Sequence, residues 1–257
     1  MAKSNPFDKQ PTGENPFKLL SNDALAKTQK GCAHVFGKGY RCSTDELGYK
    51  TPKNKSPTEL VLDASEGFIP LWARDVTLRW RFNETSFVQF SDPTAAKAAI
   101  RTLMGKALLL WQDAVPVKFT ERSDAWDFEV VVQKGDDCDI NGCTLASAFF
   151  PDQGRHKLFI YPKSLEQSES EQIETLSHEF GHVFGLRHFF AQITETEWTS
   201  VIFGKHRPFS IMNYGDKSKM TKQDRQDLKT LYAKVWSGEL AAINGTKVRL
   251  VKPYHST

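Results

Sequence analysis

The segment from residue 178 to residue 188 contains three histidines and a glutamate, residue types that can bind a metal ion and move protons. It reads His-Glu-Phe-Gly-His-Val-Phe-Gly-Leu-Arg-His, so His178 and His182 are four positions apart. On a helix, this spacing places both imidazoles on one face, where they can bind a single metal ion. Gly185 can adopt the left-handed conformation that ends a helix, which lets the chain turn and bring His188 to the same metal. The segment therefore predicts a site with three imidazole ligands.

Three neutral imidazoles are the donor set of a catalytic zinc, because they leave the fourth tetrahedral position to water. Zinc acidifies such a water, and Glu179, between the two helical histidines, can accept its proton as a general base. The expected chemistry is hydrolysis of an amide bond. The run from His178 to His182 alone also fits two surface histidines flanking a glutamate, and the offsets of Gly185 and His188 weigh against that alternative.

A methionine beyond this segment completes a pattern known from one clan of zinc endopeptidases. The chain resembles the metzincins, whose extended zinc run is followed by a methionine turn, here Ser210-Ile211-Met212-Asn213-Tyr214. The resemblance makes Met212 a hydrophobic floor beneath the histidines, with an ordinary core methionine as the alternative. It also implies an α+β fold, in which a twisted mixed sheet of about five strands packs against an active-site helix and a C-terminal helix.

Tyr214 follows the methionine at the position of a tyrosine in astacin-like and serralysin-like metzincins. In those enzymes the phenol ligates zinc at rest and later stabilises the oxyanion of the tetrahedral intermediate, so the resemblance implies a catalytic role for Tyr214. A buried structural tyrosine is the alternative. Phe189, directly after the third histidine, does not fit the residues that sort metzincin subfamilies, and the subfamily stays open.

Length and composition fit one large domain, or a catalytic domain with an extension. The chain has 257 residues, 39% of them hydrophobic, which can furnish a full core.

Its 34 basic and 31 acidic side chains give a net charge of +3, too small to indicate nucleic acid or an anionic membrane as a partner. No run approaches the roughly 20 apolar residues of a membrane helix, and the N-terminal residues lack the pattern of a signal peptide. We expect a monomer.

The cysteines indicate an oxidising compartment. All four fall into local pairs, Cys32 with Cys42 and Cys138 with Cys143, as expected for disulfides. Triplets of the glycosylation type begin at Asn54, Asn83 and Asn244. These features predict a secreted protein, and a cytoplasmic enzyme with free thiols is the alternative.

A calcium loop is a weaker prediction from the residues around the second cysteine pair. Asp137, Asp139 and Asn141 are oxygen-bearing residues at alternate positions before Gly142, as in calcium loops. The glutamate that would complete such a loop is replaced by Ala148. The pattern therefore favours a turn closed by a disulfide over a calcium site.

Residues 1–57 are rich in Lys, Asn, Pro, Gly and Ser and read as an N-terminal extension, either a pro-segment or a partly disordered segment. Within it, Arg41-Cys42-Ser43-Thr44-Asp45 faintly resembles the matrixin cysteine switch, although the spacing to Asp45 is one residue short. Residues 58–257 read as the catalytic domain.

Periodicity within the catalytic domain predicts the elements that position the site. The expected strands are residues 76–82, 117–121, 128–132, 158–161 and, at the C-terminus, 248–251. The expected helices are residues 93–112, an active-site helix from about Ser168, and a C-terminal helix over residues 221–233.

Residues 142–151 resemble the matrixin edge strand, which binds extended substrate through its backbone. The resemblance implies that a protein or peptide substrate lies along residues 144–148. Matrixins have a histidine for a structural zinc where this chain has Ser147, so we expect one catalytic zinc and no second zinc.

Together these features predict a zinc-dependent endopeptidase. The alternatives are a catalytically weak or inactive metzincin homologue that acts as a protein-binding module, and a zinc hydrolase that acts on small molecules. Structural zinc sites are normally closed by four protein ligands, whereas this sequence offers three and an intact Glu179.

Overall fold

A mixed sheet of five strands lies at the centre of the fold. In spatial order its strands are β5 (Lys118–Glu121), β4 (Thr77–Phe82), β6 (Phe128–Val132), β10 (His156–Ile160) and β9 (Ala146–Ser147). The first four run parallel to one another, and β9 at the edge runs antiparallel to β10. The structure is a computed structural model, and it describes residues 15–17, 40–41, 60–63, 67–139, 142–187, 200–203, 211–212, 219–243 and 245–256.

The alternating sequence of β4 places its apolar side chains on one face. Leu78, Trp80 and Phe82 are buried, and the positions between them are partly exposed. In β6 both faces are covered, so Glu129 is also buried. Its carboxylate accepts a hydrogen bond from Arg81 Nε at 2.9 Å, which offsets the cost of removing the charge from water. These two strands form the middle of the core.

Three long helices begin where the sequence predicts. The helices of the described residues are α1 (Glu84–Phe87), α2 (Pro93–Trp111), α3 (Pro162–Leu165), α4 (Glu169–Val183) and α5 (Lys222–Trp236). Asp92 caps α2, and Ser168 and Thr221 form capping boxes at the starts of α4 and α5. Helix α5 continues past the predicted end at residue 233, because buried Val235 extends its apolar face. The sheet and these helices confirm the predicted α+β class.

Helix α4 packs against α2 through two hydrogen bonds as well as apolar contacts. The indole Nε1 of Trp111 donates to Ser177 O at 2.9 Å, and Ser177 Oγ donates to Ala107 O at 3.0 Å. All three residues are buried. Because buried polar groups fix the relative position of two helices, α4 is held in one register against α2.

A disulfide-closed hairpin precedes the edge strand. It consists of β7 (Asp137–Asp139) and β8 (Gly142–Thr144), and the Cys138–Cys143 disulfide joins directly paired positions. This confirms the predicted bridge. Asn141 of the calcium pattern and the Cys32–Cys42 pair lie outside the described residues. A strand from the N-terminal extension, β1 (Tyr40–Arg41), pairs in parallel with the other side of β8.

Strands from both ends of the chain form a second sheet that the sequence reading largely missed. It contains β3 (Phe68–Trp72), β13 (Thr246–Val251) and β12 (Ala242–Ile243), with β3 parallel to β13. Only part of β13 was expected, since β3 is a short apolar run with a proline and lacks period-two alternation.

The stretch of chain between the third histidine and the methionine turn contains one strand among its described residues. Residues 200–203 form β11 (Ser200–Phe203), which pairs antiparallel with β2 (Leu60–Asp63). No helix in the described part of the chain is long and apolar enough to cross a membrane. The division of the chain at residue 57 remains a prediction.

Candidate metal centre

Helix α4 brings two histidines and a glutamate together in the interior. His178 and His182 lie on successive turns, and their Nε2 atoms are 3.1 Å apart. The exposed fractions are 9% for His178, 1% for Glu179 and 0% for His182. Burying an ionisable group costs free energy unless the group is paired or binds a metal, and such groups cluster at functional sites. The helix therefore concentrates the predicted chemistry at one buried place.

Backbone carbonyls fix the orientation of both imidazole rings. His178 Nδ1 lies 2.7 Å from Ile211 O, and His182 Nδ1 lies 2.6 Å from Leu186 O. A carbonyl can only accept, so each Nδ1 carries a hydrogen, and in a neutral ring of this tautomer the Nε2 lone pair can bind a metal ion. The two Nε2 atoms, 3.1 Å apart, can reach the same ion. The arrangement fits a metal ion held by two neutral imidazoles with carbonyl partners.

The methionine of the predicted turn packs beneath this helix at a glycine. Met212 is fully buried, and a Cβ atom added to Gly181 would lie 2.2 Å from its sulfur. Any larger residue at position 181 would displace Met212. The glycine inside the zinc run is therefore needed for close packing, which the sequence reading had not recognised.

The turn after α4 has the hydrogen bonds of a Schellman motif. Gly185 N donates to His182 O at 2.8 Å, and Leu186 N donates to Gly181 O at 3.0 Å. Gly185 has a φ of +92°, the left-handed conformation that the sequence predicts for it. The same turn presents Leu186 O to His182. It therefore orients one predicted ligand as well as leading the chain towards another.

A carboxylate on α5 contacts the methionine turn. Asp224 Oδ2 accepts hydrogen bonds from Thr221 N at 2.7 Å and Ile211 N at 3.4 Å. The carbonyl of the same Ile211 is the partner of His178. Within its own helix, Asp224 belongs to the capping box of the first turn. Its contact with Ile211 depends on the packing of α5 and has no local signal.

Two predicted site residues lie outside the described part of the chain: the third ligand, His188, and Tyr214. Within the described residues there is no group of three or more His, Cys, Asp or Glu side chains that could hold a metal. The roles of His188 and Tyr214 therefore remain predictions. The structure brings together His178, Glu179, His182 and Met212.

This arrangement, a histidine pair on a helix above a buried methionine turn, is that of a metzincin-clan metalloprotease, and comparison with known proteins identifies the family. The matrixin family model matches residues 72–233, which is more than half of the chain. The chain belongs to the matrixin family. Matrixins are metalloendopeptidases, and membership implies a catalytic zinc. The astacin-like and serralysin-like comparison, which rests on Tyr214, gains no support from this match.

One human relative is similar over part of the chain. Stromelysin-3 from Homo sapiens is 34% identical over 122 residues, which are 43% of this chain and 25% of the relative. The chain thus spans about a quarter of the length of that protein. Most of β3 and all of β12 and β13 lie outside the family match.

Proposed function

We propose that this protein is a zinc endopeptidase in which Glu179 is the general base. The observation that carries the proposal is the geometry of the two histidines: their Nε2 atoms are 3.1 Å apart, and each Nδ1 lies at a backbone carbonyl. Glu179 lies between them in the sequence and is buried. This donor set suits zinc, and the residues belong to the matched matrixin region. We assign His178, His182 and His188 as the ligands.

A bound zinc would acidify a water molecule and polarise the carbonyl of the bond to be cut. As general base, Glu179 would accept a proton from the attacking water and pass it to the leaving amine. Ile211 O and Leu186 O keep His178 and His182 in the tautomer that leaves Nε2 available. Tyr214 donates a hydrogen bond to the oxyanion that develops as the carbonyl is attacked.

The edge of the main sheet supports an extended peptide as substrate. Strand β9 is one of the two edge strands of this sheet, and an edge strand can add a peptide through backbone hydrogen bonds. The segment after β9 leads to the site, since the ring of Phe150 lies 5.5 Å from that of His182. We propose that substrate lies along residues 144–148. Methylating one backbone amide nitrogen of a peptide substrate removes its hydrogen. This should lower kcat/KM if that amide donates a hydrogen bond to the strand.

Strand β1 supports a role for residues 1–57 as a pro-segment. Tyr40 pairs with Cys143 and Arg41 with Thr144, so part of the extension lies against the strand that leads into the substrate edge. A chain with a specific protease site at residue 57 tests this role. Peptidase activity should rise after cleavage, and an unchanged rate would contradict the pro-segment.

We further propose that the protein is secreted, because the Cys138–Cys143 disulfide suits an oxidising compartment. If Cys32 and Cys42 are also bridged, the native chain should be lighter than the reduced chain by two hydrogens for each disulfide. A native chain whose four cysteines all react with an alkylating agent would contradict secretion.

Replacing the proposed base tests the function directly. Glu179→Ala should keep about one zinc per chain, because the glutamate is not a ligand, and lower kcat by roughly 10² to 10⁴-fold. Glu174→Ala is the matched control on the same helix, since Glu174 forms a long ion pair of 4.0 Å with Lys219. Cleavage of an unfolded protein and zinc content are the measurements. Parental activity in Glu179→Ala would exclude the proposed mechanism, and a zinc-loaded parent without any activity would favour a binding module.

The role of Tyr214 can be separated from packing by removing only its hydroxyl. Tyr214→Phe should leave zinc content and melting temperature unchanged and lower kcat by about 10 to 10³-fold, the range for one oxyanion donor or slightly less. KM should change little, because the bond forms in the transition state. Cleavage at the parental rate would assign the tyrosine a structural role.

A further inference from the structure

Two buried side chains from distant parts of the chain bind the last carbonyls of the active-site helix. Trp72 Nε1 donates to Val183 O at 2.7 Å, and the Tyr232 hydroxyl donates to Phe184 O at 3.0 Å. The final carbonyls of a helix accept no hydrogen bond from an amide of the same helix. Here both are satisfied by side chains whose donors are fixed in the core.

The two donors are also connected to each other. Trp72 N donates to the Tyr232 hydroxyl at 3.3 Å, so this oxygen accepts from β3 and donates to the turn after α4. Burial raises the pKa of Tyr232, which keeps the phenol protonated and able to donate. We call this pair, Trp72 and Tyr232, the C-terminal clamp.

Strand β3 places the clamp against the glycine turn. A Cβ atom added to Gly185 would lie 2.8 Å from Leu71 Cδ2 and 3.4 Å from Pro70 O, so β3 passes directly against the turn. β3 is in turn paired along its length with β13, and Ala73 N donates to Val251 O at 2.8 Å. The C-terminal strand therefore supports the clamp although it lies outside the matched matrixin region.

We propose that Trp72 and Tyr232 are positioning residues for the metal centre. They fix the carbonyls of Val183 and Phe184, and the turn that begins there presents Leu186 O to His182 Nδ1 at 2.6 Å. Loss of either donor leaves a buried carbonyl unpaired and allows the turn to shift, which moves the partner of His182. The inference rests on the proposed zinc site, because its effect is on how tightly that site holds its metal.

The test measures zinc release from two variants that each remove one donor. Trp72→Phe and Tyr232→Phe keep an aromatic ring and lose the hydrogen bond to the turn. Each should release zinc to a chromophoric chelator faster than the parent, by up to about 10 to 100-fold, the effect expected if the shifted turn costs His182 its carbonyl partner. If Trp72→Phe does not fold, Tyr232→Phe tests the same turn through the neighbouring carbonyl.

Trp111→Phe is the matched control. Trp111 is equally buried and its ring packs edge-on against Phe184, but its indole donates to the carbonyl of Ser177, so the variant loses a buried donor to α4 without losing a hydrogen bond to the glycine turn. It should lower the melting temperature and leave the rate of zinc release at the parental value. Parental release from both clamp variants would overturn the inference. An equal acceleration in all three variants would also overturn it, because it would show a general loss of stability.

Failure of the proposed function looks different in the same experiment. If the parent binds no zinc, the zinc site itself is refuted. If the parent binds zinc tightly and the clamp variants match it, only the positioning role fails.

Discussion

The two ends of helix α4 are held in different ways. At its start, Ser168 and Glu171 bond to each other within three residues, with Ser168 N donating to Glu171 Oε2 at 2.9 Å. At its end, the donors come from Trp72, 111 positions from Val183, and from Tyr232, 48 positions from Phe184. The first end is exposed and local, and the second is buried and built by the whole fold. Damage at the start should therefore affect stability alone, whereas damage at the end should also affect the metal.

The largest effect is expected from removing a proposed ligand at the end of the helix. His182→Ala should lose both zinc and activity, because two imidazoles do not hold the metal tightly. Zinc per chain after dialysis and cleavage of an unfolded protein are the measurements. Full zinc content in this variant would show that His182 is not a ligand.

Gly185→Ala should be the next most severe change. It forces a residue with a Cβ atom to a φ of +92° and brings that atom to 2.8 Å from Leu71. The backbone strain costs about 1–2 kcal/mol, and overpacking adds roughly 1–3 kcal/mol. Chemical denaturation measures the loss, and zinc should be released faster.

Gly238→Ala separates the cost of backbone strain from the cost of overpacking. Gly238 has a φ of +78°, and no atom lies within 4 Å of the added Cβ, so this variant has the backbone strain without the collision. It should be destabilised by about 1–2 kcal/mol and retain zinc as the parent does. Equal effects of the two substitutions would show that contact with β3 does not matter.

A change at the start of the helix should act on stability only. Ser168→Ala removes the capping side chain and should cost about 0.5–2 kcal/mol of unfolding free energy. The rate of zinc release should stay at the parental value, since the cap is more than two helical turns from His178. Faster release would mean that the two ends of α4 are coupled.

The smallest expected effect is a pH-dependent change in stability when Glu171 is replaced. Hydrogen bonds from the Ser168 hydroxyl and amide lower the pKa of Glu171 below its ordinary value. A lowered folded-state pKa contributes stability above the unfolded pKa, about 4.3, and that contribution is lost as pH falls through the folded value. Glu171→Gln should therefore be slightly less stable than the parent at neutral pH, and the difference should vanish in acid. A difference that grows in acid would contradict this assignment.

Sequence patterns predicted the elements whose signals are short in range. The alternation of β4, the apolar run of β6 and the starts of helices α2, α4 and α5 all appear at the expected positions. The bridge between Cys138 and Cys143 also follows from a short spacing. Each of these features depends on residues that are near neighbours in the chain, so one sequence is enough to find them.

Other elements gave no local signal. β3 has no alternation of apolar and polar residues because both of its faces are covered. Its partner, β13, lies near the C-terminus, so the pairing has no local signal either. β11 is paired with β2 in the same long-range manner. The contact of Asp224 with Ile211 likewise requires α5 to lie beside the methionine turn. Such pairings are set by packing, which periodicity does not report.

The sequence alone determined the chemistry: two histidines four positions apart, a glutamate between them and a glycine that ends their helix. It could do so because a helix converts spacing directly into direction. Only the tertiary structure decided how that helix end is held, through an indole of β3 and a phenol of α5. The physical reason is that the last carbonyls of a helix need donors from elsewhere, and which donors reach them depends on how the whole chain packs.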